Sequence, residues 1–186
     1  MLDYLTMLDK ELLISINGAN NHIFDSIMLF VSSKFGWTPL YLLLLYLVLI
    51  DYKKKSWLVI ITIGLSVLLA DQISVQLFKN VFQRLRPCHE LDLVGILHMV
   101  KGCGGKYGFV SSHAANSFAV ATYIILLMRS KRRWIWPLML FYSIIIIYSR
   151  VYLGVHYPSD VIAGAFLGIT IGFGCYFLFN FLNKKV

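Results

Sequence analysis

The sequence predicts an all-α fold: a polytopic transmembrane bundle of five to six spans behind an N-terminal interfacial helix. Three observations carry that prediction. The chain has 186 residues, of which 59% are hydrophobic, and its mean hydropathy is positive, a composition outside the range of soluble domains. Its apolar residues gather into long runs. Its basic residues gather between those runs, in Lys53–Lys55, in Arg129 and Lys131–Arg133, and in Lys184–Lys185. The net charge of +8 therefore reads as topology, because cytoplasmic loops collect Lys and Arg. Nucleic-acid binding is not expected, since no basic face runs along an amphipathic helix. One domain over 1–186 accounts for the length, with 1–35 as interfacial or partly inserted helices, 36–182 as the core spans and 80–112 as the long extracytoplasmic loop.

Residues 1–21 mix Leu and Ile with Asp, Lys and Asn, too polar to cross lipid and amphipathic enough to lie along its surface. Asp3, Asp9 and Glu11 stand where a basic region would open a removable signal, and no cleavage-like small-residue site follows. Residues 23–35 are apolar but shorter than the roughly 20 residues a crossing needs, so a partly inserted helix and a full crossing both remain open. Trp37 to Ile50 is a span ending at Lys53–Lys55. Ser56 to Phe78 returns, carrying Asp71, Gln72 and Gln76 on its later turns. From Asn80 to Ser112 the chain is rich in Gly, Pro, His and Cys, with no helical period long enough to span. Ala114 to Met128, Trp134 to Tyr148 and Val161 to Leu182 complete the spans. With these crossings the basic clusters share one side, while 79–113 and 150–160 share the other.

Three constellations fall on that second side. Lys79, Arg86 and Pro87 form K-x6-R-P, with Arg84 in the same loop. Lysine offers a point charge and arginine a planar fork for phosphate oxygens; the same cations would also anchor a helix end to headgroups. Val110-Ser111-Ser112-His113 precedes a span. Serine there is a helix cap, and the free N–H groups of a helix start also suit an anion. Ser149, Arg150, His156 and Asp160 form S-R-x5-H-x3-D between two apolar runs, where charge is costly without a partner or a task. Asp160 in the first turn of a helix can reach one nitrogen of His156 and leave the other free as a nucleophile.

In order and spacing these motifs resemble those of the type-2 phosphatidic acid phosphatase superfamily, K-x6-R-P, P-S-G-H and S-R-x5-H-x3-D. Val110 stands for the motif proline and Ser112 for its glycine. The resemblance implies an integral membrane phosphatase acting on lipid phosphates, with no cofactor and no metal. It implies that His156 attacks phosphorus, that Asp160 orients it, and that His113 protonates the leaving oxygen and then activates water. Lys79, Arg86, Ser111, Ser112 and Arg150 would bind the phosphate. The expected substrates are undecaprenyl diphosphate, phosphatidylglycerol phosphate or a lipid A phosphate, met at the periplasmic face of a bacterial inner membrane. The bilayer and the lipid are the expected partners, with no obligatory protein partner. A non-enzymatic transporter or lipid-binding protein is the alternative. A transporter would place polar residues at mid-span, whereas most of the charge gathers at one face, with Asp71 a mild exception. Cys88 and Cys103 share the long loop and can pair in an oxidising compartment, or remain two thiols; Cys175 lies within the last span.

Overall fold

The computed structural model describes residues 2–33 and 35–185. Met1 and Lys34, which belong to the two N-terminal segments expected above, lie outside the described residues. The elements are α1 (Leu2–Gly18), α2 (His22–Ser32), α3 (Thr38–Tyr52), α4 (Ser56–Ile73), α5 (Asn80–Phe82), α6 (Ser112–Met128), α7 (Ile135–Tyr152) and α8 (Pro158–Asn183). Among the described residues there is no strand, only an isolated bridge between Leu85 and Tyr107. The fold is a polytopic transmembrane helical bundle. The stretches Thr38–Phe82, Ile135–Tyr152 and Pro158–Asn183 are long and apolar enough to cross a membrane, and α2 and α6 are shorter apolar helices.

Thr38–Phe82 is a hairpin, not one rod. Lys53 takes φ 48°, the 3-10 turn Lys53–Lys55 follows, and Ser56 Oγ donates to the Val48 carbonyl at 3.1 Å. At that end Arg132 grips Asp51 through two bonds of 3.0 and 3.1 Å, and Lys55 reaches the Asn183 carbonyl. The three basic clusters thus share one end of the bundle, and all three motifs lie at the other.

Helix α6 is the axis. Its 17 residues rise only about 25 Å, shorter than a bilayer core of about 30 Å, but α4, α7 and α8 surround it. Ala114, Ala115, Ala119, Tyr123 and Ile124 are fully buried. Along α8 a stripe of Gly164, Gly168 and Gly172 faces α6 with no room for a side chain. A Cβ would lie 2.6 Å from the Ser111 carbonyl oxygen at Gly164 and 2.6 Å from that of Ala119 at Gly172, and at Gly168 it would overlap the Ala115 carbonyl. Small residues let helix backbones close in this way in lipid, where dispersion replaces the hydrophobic drive between helices. Outward, Leu42, Tyr46, Ile61, Phe166 and Phe177 are exposed, as a lipid-facing surface requires.

The helix of the second span runs farther than the sequence implied. Ser74–Lys79 is π-helical and α5 continues to Phe82, so Lys79 lies one turn inside the helix end. A π segment adds a residue to the turn and re-aims the side chains beyond it. Helix α7 also extends past Tyr148, carrying Ser149 and Arg150 within its last turn. Helix α1, which sequence alone lays along the bilayer surface, docks on the motif end of the bundle. Leu13 is fully buried against Leu93, Ala114, Val151, Tyr157 and Val161. Asn17 donates to the carbonyls of Tyr152 and His98 at 2.7 and 2.9 Å and accepts from His98 N–H.

Candidate active site

Two helix starts lie side by side at the motif end. Ser111 N–H donates to the Asp160 carbonyl at 3.0 Å, so the turn that opens α6 is bonded to the turn that opens α8. Pro158 sits at the first position of α8, where its missing N–H and preset φ cost nothing. Asp160, fully buried, points back from the same turn. Its Oδ2 accepts Tyr157 N–H at 3.1 Å and lies 3.3 Å from His156 Nδ1, which leaves Nε2 as the ring nitrogen turned away from the carboxylate. His156 is 1% exposed. Burial first, then the charges of Arg150, Arg86, Lys79 and Arg84, hold its imidazole well below the ordinary histidine range. It is a neutral base in a cationic surround.

The cations arrive from separate elements. Lys79 donates from the π segment to Ser112 Oγ at 2.9 Å, and Ser74 Oγ lies 2.6 Å from the same oxygen. Arg86 is held by loop carbonyls, Nη1 to Cys103 at 2.8 Å and Nε to Tyr107 at 3.2 Å. Cys88 and Cys103 are joined as a disulfide across a Cα–Cα distance of 5.9 Å, closing the loop that carries those carbonyls. Arg150 donates through Nη1 to Ser32 on α2. Its Nε is buried without a partner, as is Ser111 Oγ. Buried polar atoms are rarely left so; an unpartnered guanidinium N–H and an unpartnered hydroxyl are groups that suit an anion. Gly108 makes the close packing possible, since a Cβ there would lie 2.9 Å from Asp160 Oδ2.

His113 faces a cavity of about 850 Å³ that runs between α3, α4, α6 and α7 along Tyr41, Leu44, Val59, Ile63 and Val120. The cavity is lined mainly by apolar side chains, with Asp71, Ser112, His113, Asn116 and Ser117 among its polar residues. Among the described residues no three His, Cys, Asp or Glu side chains gather as a metal-binding group.

The expected residues of the three motifs are therefore brought to one end of the bundle, linked by the Lys79–Ser112, Ser111–Asp160 and Asp160–His156 contacts. Ser149 is the exception within its motif: its hydroxyl bonds back to the Ile146 carbonyl at 2.7 Å. Sequence reasoning left Arg84 without a role and missed Asp9, Ser159 and Ser74. Arg84 donates to Asp160 Oδ1 at 2.9 Å and to Asp9 Oδ2 at 2.7 Å. An arginine two residues before Arg86 was a usable signal; Asp9, on an amphipathic helix 75 positions away, offered none.

These features define a class: helical membrane proteins that hold an oriented histidine and a ring of cations at the boundary of the lipid-facing segments. A family model described as the PAP2 superfamily matches residues 55–184, and the chain belongs to that superfamily. It is 35% identical over 189 residues to a lipid A 4'-phosphatase of Bacteroides thetaiotaomicron, covering 100% of this chain and 81% of the relative. It is 32% identical over 153 residues to an undecaprenyl-diphosphatase of Sulfolobus acidocaldarius, covering 80% of this chain and 68% of the relative. Among solved structures, LpxE of Aquifex aeolicus superposes with a TM-score of 0.65 at 27% identity, over 90% of this chain and 94% of that one.

Proposed function

We propose that the protein is an integral membrane lipid phosphatase that removes phosphate through a phosphohistidine, with a lipid A phosphate monoester as its substrate. The observation that carries the reading is the His156–Asp160 pair, bonded through the Asp160 carbonyl to Ser111 N–H and under the charge of Arg150, with Ser111 Oγ and Arg150 Nε both buried and unpartnered. The near-complete coverage by a lipid A 4'-phosphatase supports the choice of lipid.

His156 Nε2 attacks phosphorus while the ester oxygen departs, taking a proton from His113. Asp160 holds Nδ1–H and stabilises the charge that the ring gains. His113 then removes a proton from water, whose oxygen attacks phosphorus and breaks the P–N bond; inorganic phosphate leaves and both rings return to their starting state. Lys79, Arg86, Arg150 and the N–H groups at the start of α6 stabilise the phosphoryl oxygens as charge redistributes. Those cations supply the positive charge, so the reaction proceeds without a metal. The site faces the periplasm from the inner membrane, with the basic clusters on the cytoplasmic side. A second reading, undecaprenyl diphosphate as substrate, is favoured by the long apolar cavity that begins at His113 and by the undecaprenyl-diphosphatase relative.

The test is phosphate release in detergent from lipid A bisphosphate, undecaprenyl diphosphate and phosphatidylglycerol phosphate, with EDTA present. Lipid A is expected to turn over fastest, and His156→Ala to release none. Equal turnover by His156→Ala would remove the nucleophile. Activity lost to EDTA and regained with a divalent cation would remove the metal-free mechanism.

A further inference from the structure

We infer that Asp9 of α1 and Arg84 of the long loop are positioning residues for the nucleophile, acting as a relay that runs Asp9 to Arg84 to Asp160 to His156. The inference rests on the reading of His156 given above and extends it to two residues outside the motifs.

The Arg84 guanidinium is divided between two carboxylates. Nη2 donates to Asp9 Oδ2 at 2.7 Å, while Nη1 donates to Asp160 Oδ1 at 2.9 Å and to Ser159 Oγ at 2.6 Å. Its plane rests on the Tyr157 ring, with Cζ 4.1 Å from the centroid. Asp9 is 7% exposed and Asp160 fully buried. Two nearly dry carboxylates facing one fork set both the place and the rotation of that fork, which a lysine's point charge would not do. Asp9 acts a second time on the same turn: its Oδ1 accepts Ser159 N–H at 2.8 Å, and Ser159 Oγ bonds its Oδ2. That is a helix cap supplied from another element, on the turn that carries Asp160.

The consequence is a division of labour on Asp160. Oδ2 serves His156 Nδ1 and Tyr157 N–H, and Oδ1 is matched by Arg84. Without Arg84 the carboxylate would have an unmatched buried oxygen and freedom to rotate away from the ring. His156 would lose the bond that keeps its proton on Nδ1 and its lone pair on Nε2. Neither Asp9 nor Arg84 lines the cavity that His113 faces. Their loss is therefore expected to act on the chemical step and to spare substrate binding.

The experiment measures kcat and KM for Asp9→Asn, Arg84→Gln and the double variant. The substrate is whichever of the three lipids above turns over fastest, and His156→Ala runs in parallel. Each single variant is expected to lose kcat by roughly 10- to 100-fold, as small misplacements of reacting groups do, with KM within about twofold of wild type on the uniform-binding criterion. Because Asp9 acts mainly through Arg84, the double variant is expected to lose clearly less than the product of the two single losses, with any loss beyond that of Arg84→Gln set by the direct Asp9 bonds to Ser159. Losses that multiply, a rise in KM at unchanged kcat, or full kcat in both single variants would each overturn the relay. Should Arg84→Gln fail to fold, Arg84→Lys carries the test: retained melting temperature with reduced kcat supports the relay, and wild-type kcat sinks it. An active His156→Ala would instead remove the reading of the nucleophile. An inert His156→Ala beside fully active Asp9 and Arg84 variants would remove the relay alone.

Discussion

Ser112 occupies the place of the motif glycine, and its hydroxyl is in use: it holds Lys79 Nζ at 2.9 Å and meets Ser74 Oγ at 2.6 Å. The π segment brings Ser74 and Lys79 to that oxygen together. The substitution therefore fits this chain's own packing and leaves the backbone N–H groups of the helix start in place. His156 illustrates the cost of such a site. In the unfolded chain its imidazole takes a proton near the ordinary value of about 6.5, whereas burial and the surrounding cations keep the folded form neutral well below that. The folded state then binds fewer protons. The stability this neutral ring contributes is complete above about pH 6.5 and drains as the pH falls below it, by up to about 1.4 kcal/mol per pH unit. The melting temperature in detergent is expected to fall as the pH drops below about 6.5, and His156→Gln to remove part of that slope. Identical slopes in the two proteins would contradict a buried neutral imidazole.

At the scale of elements, the α6–α8 seam decides whether the two histidine-bearing turns meet. Gly168 rests on the Ala115 carbonyl, and backbone at that distance has nowhere to go. Gly168→Ala is expected to destabilise by about 1–3 kcal/mol, the usual range for overpacking, and to lower activity with it. Gly174, with nothing within 4 Å of an added Cβ, is the control. Gly174→Ala is expected to be neutral or slightly stabilising, because alanine loses less backbone entropy in a helix. Thermal melts of the purified variants check both, and equal Tm values would remove the close seam. The spans were legible as runs of apolar residues, and the motif serines and histidines as departures from them. The glycine stripe was visible as letters at every fourth position from Gly164 to Gly172, but which helix it met was not. The π segment was illegible, because its residues are those of an ordinary helix.

Over the whole molecule, charge and chemistry separate along the axis. Asp51, Arg132 and Lys55 tie down one end; Lys79, Arg86, Arg150 and the two histidines gather at the other. A membrane-impermeant maleimide applied to spheroplasts is expected to label Lys101→Cys in the exposed loop and to spare Ser130→Cys in the basic turn. The reverse pattern would place the site on the cytoplasmic side. The amino-acid sequence by itself determined that this is a helical membrane protein, where its chain leaves the apolar runs, and which residues match the superfamily's three motifs. Those facts follow from local hydrophobicity and from residues at fixed short spacings. The tertiary structure alone decided that α1 closes over the site, that Asp9 and Arg84 back the His156–Asp160 pair, and that the loop from Gln83 to Ser111 folds onto its own arginine. These depend on contacts between positions tens of residues apart, and no local pattern encodes which distant carboxylate a buried guanidinium will find.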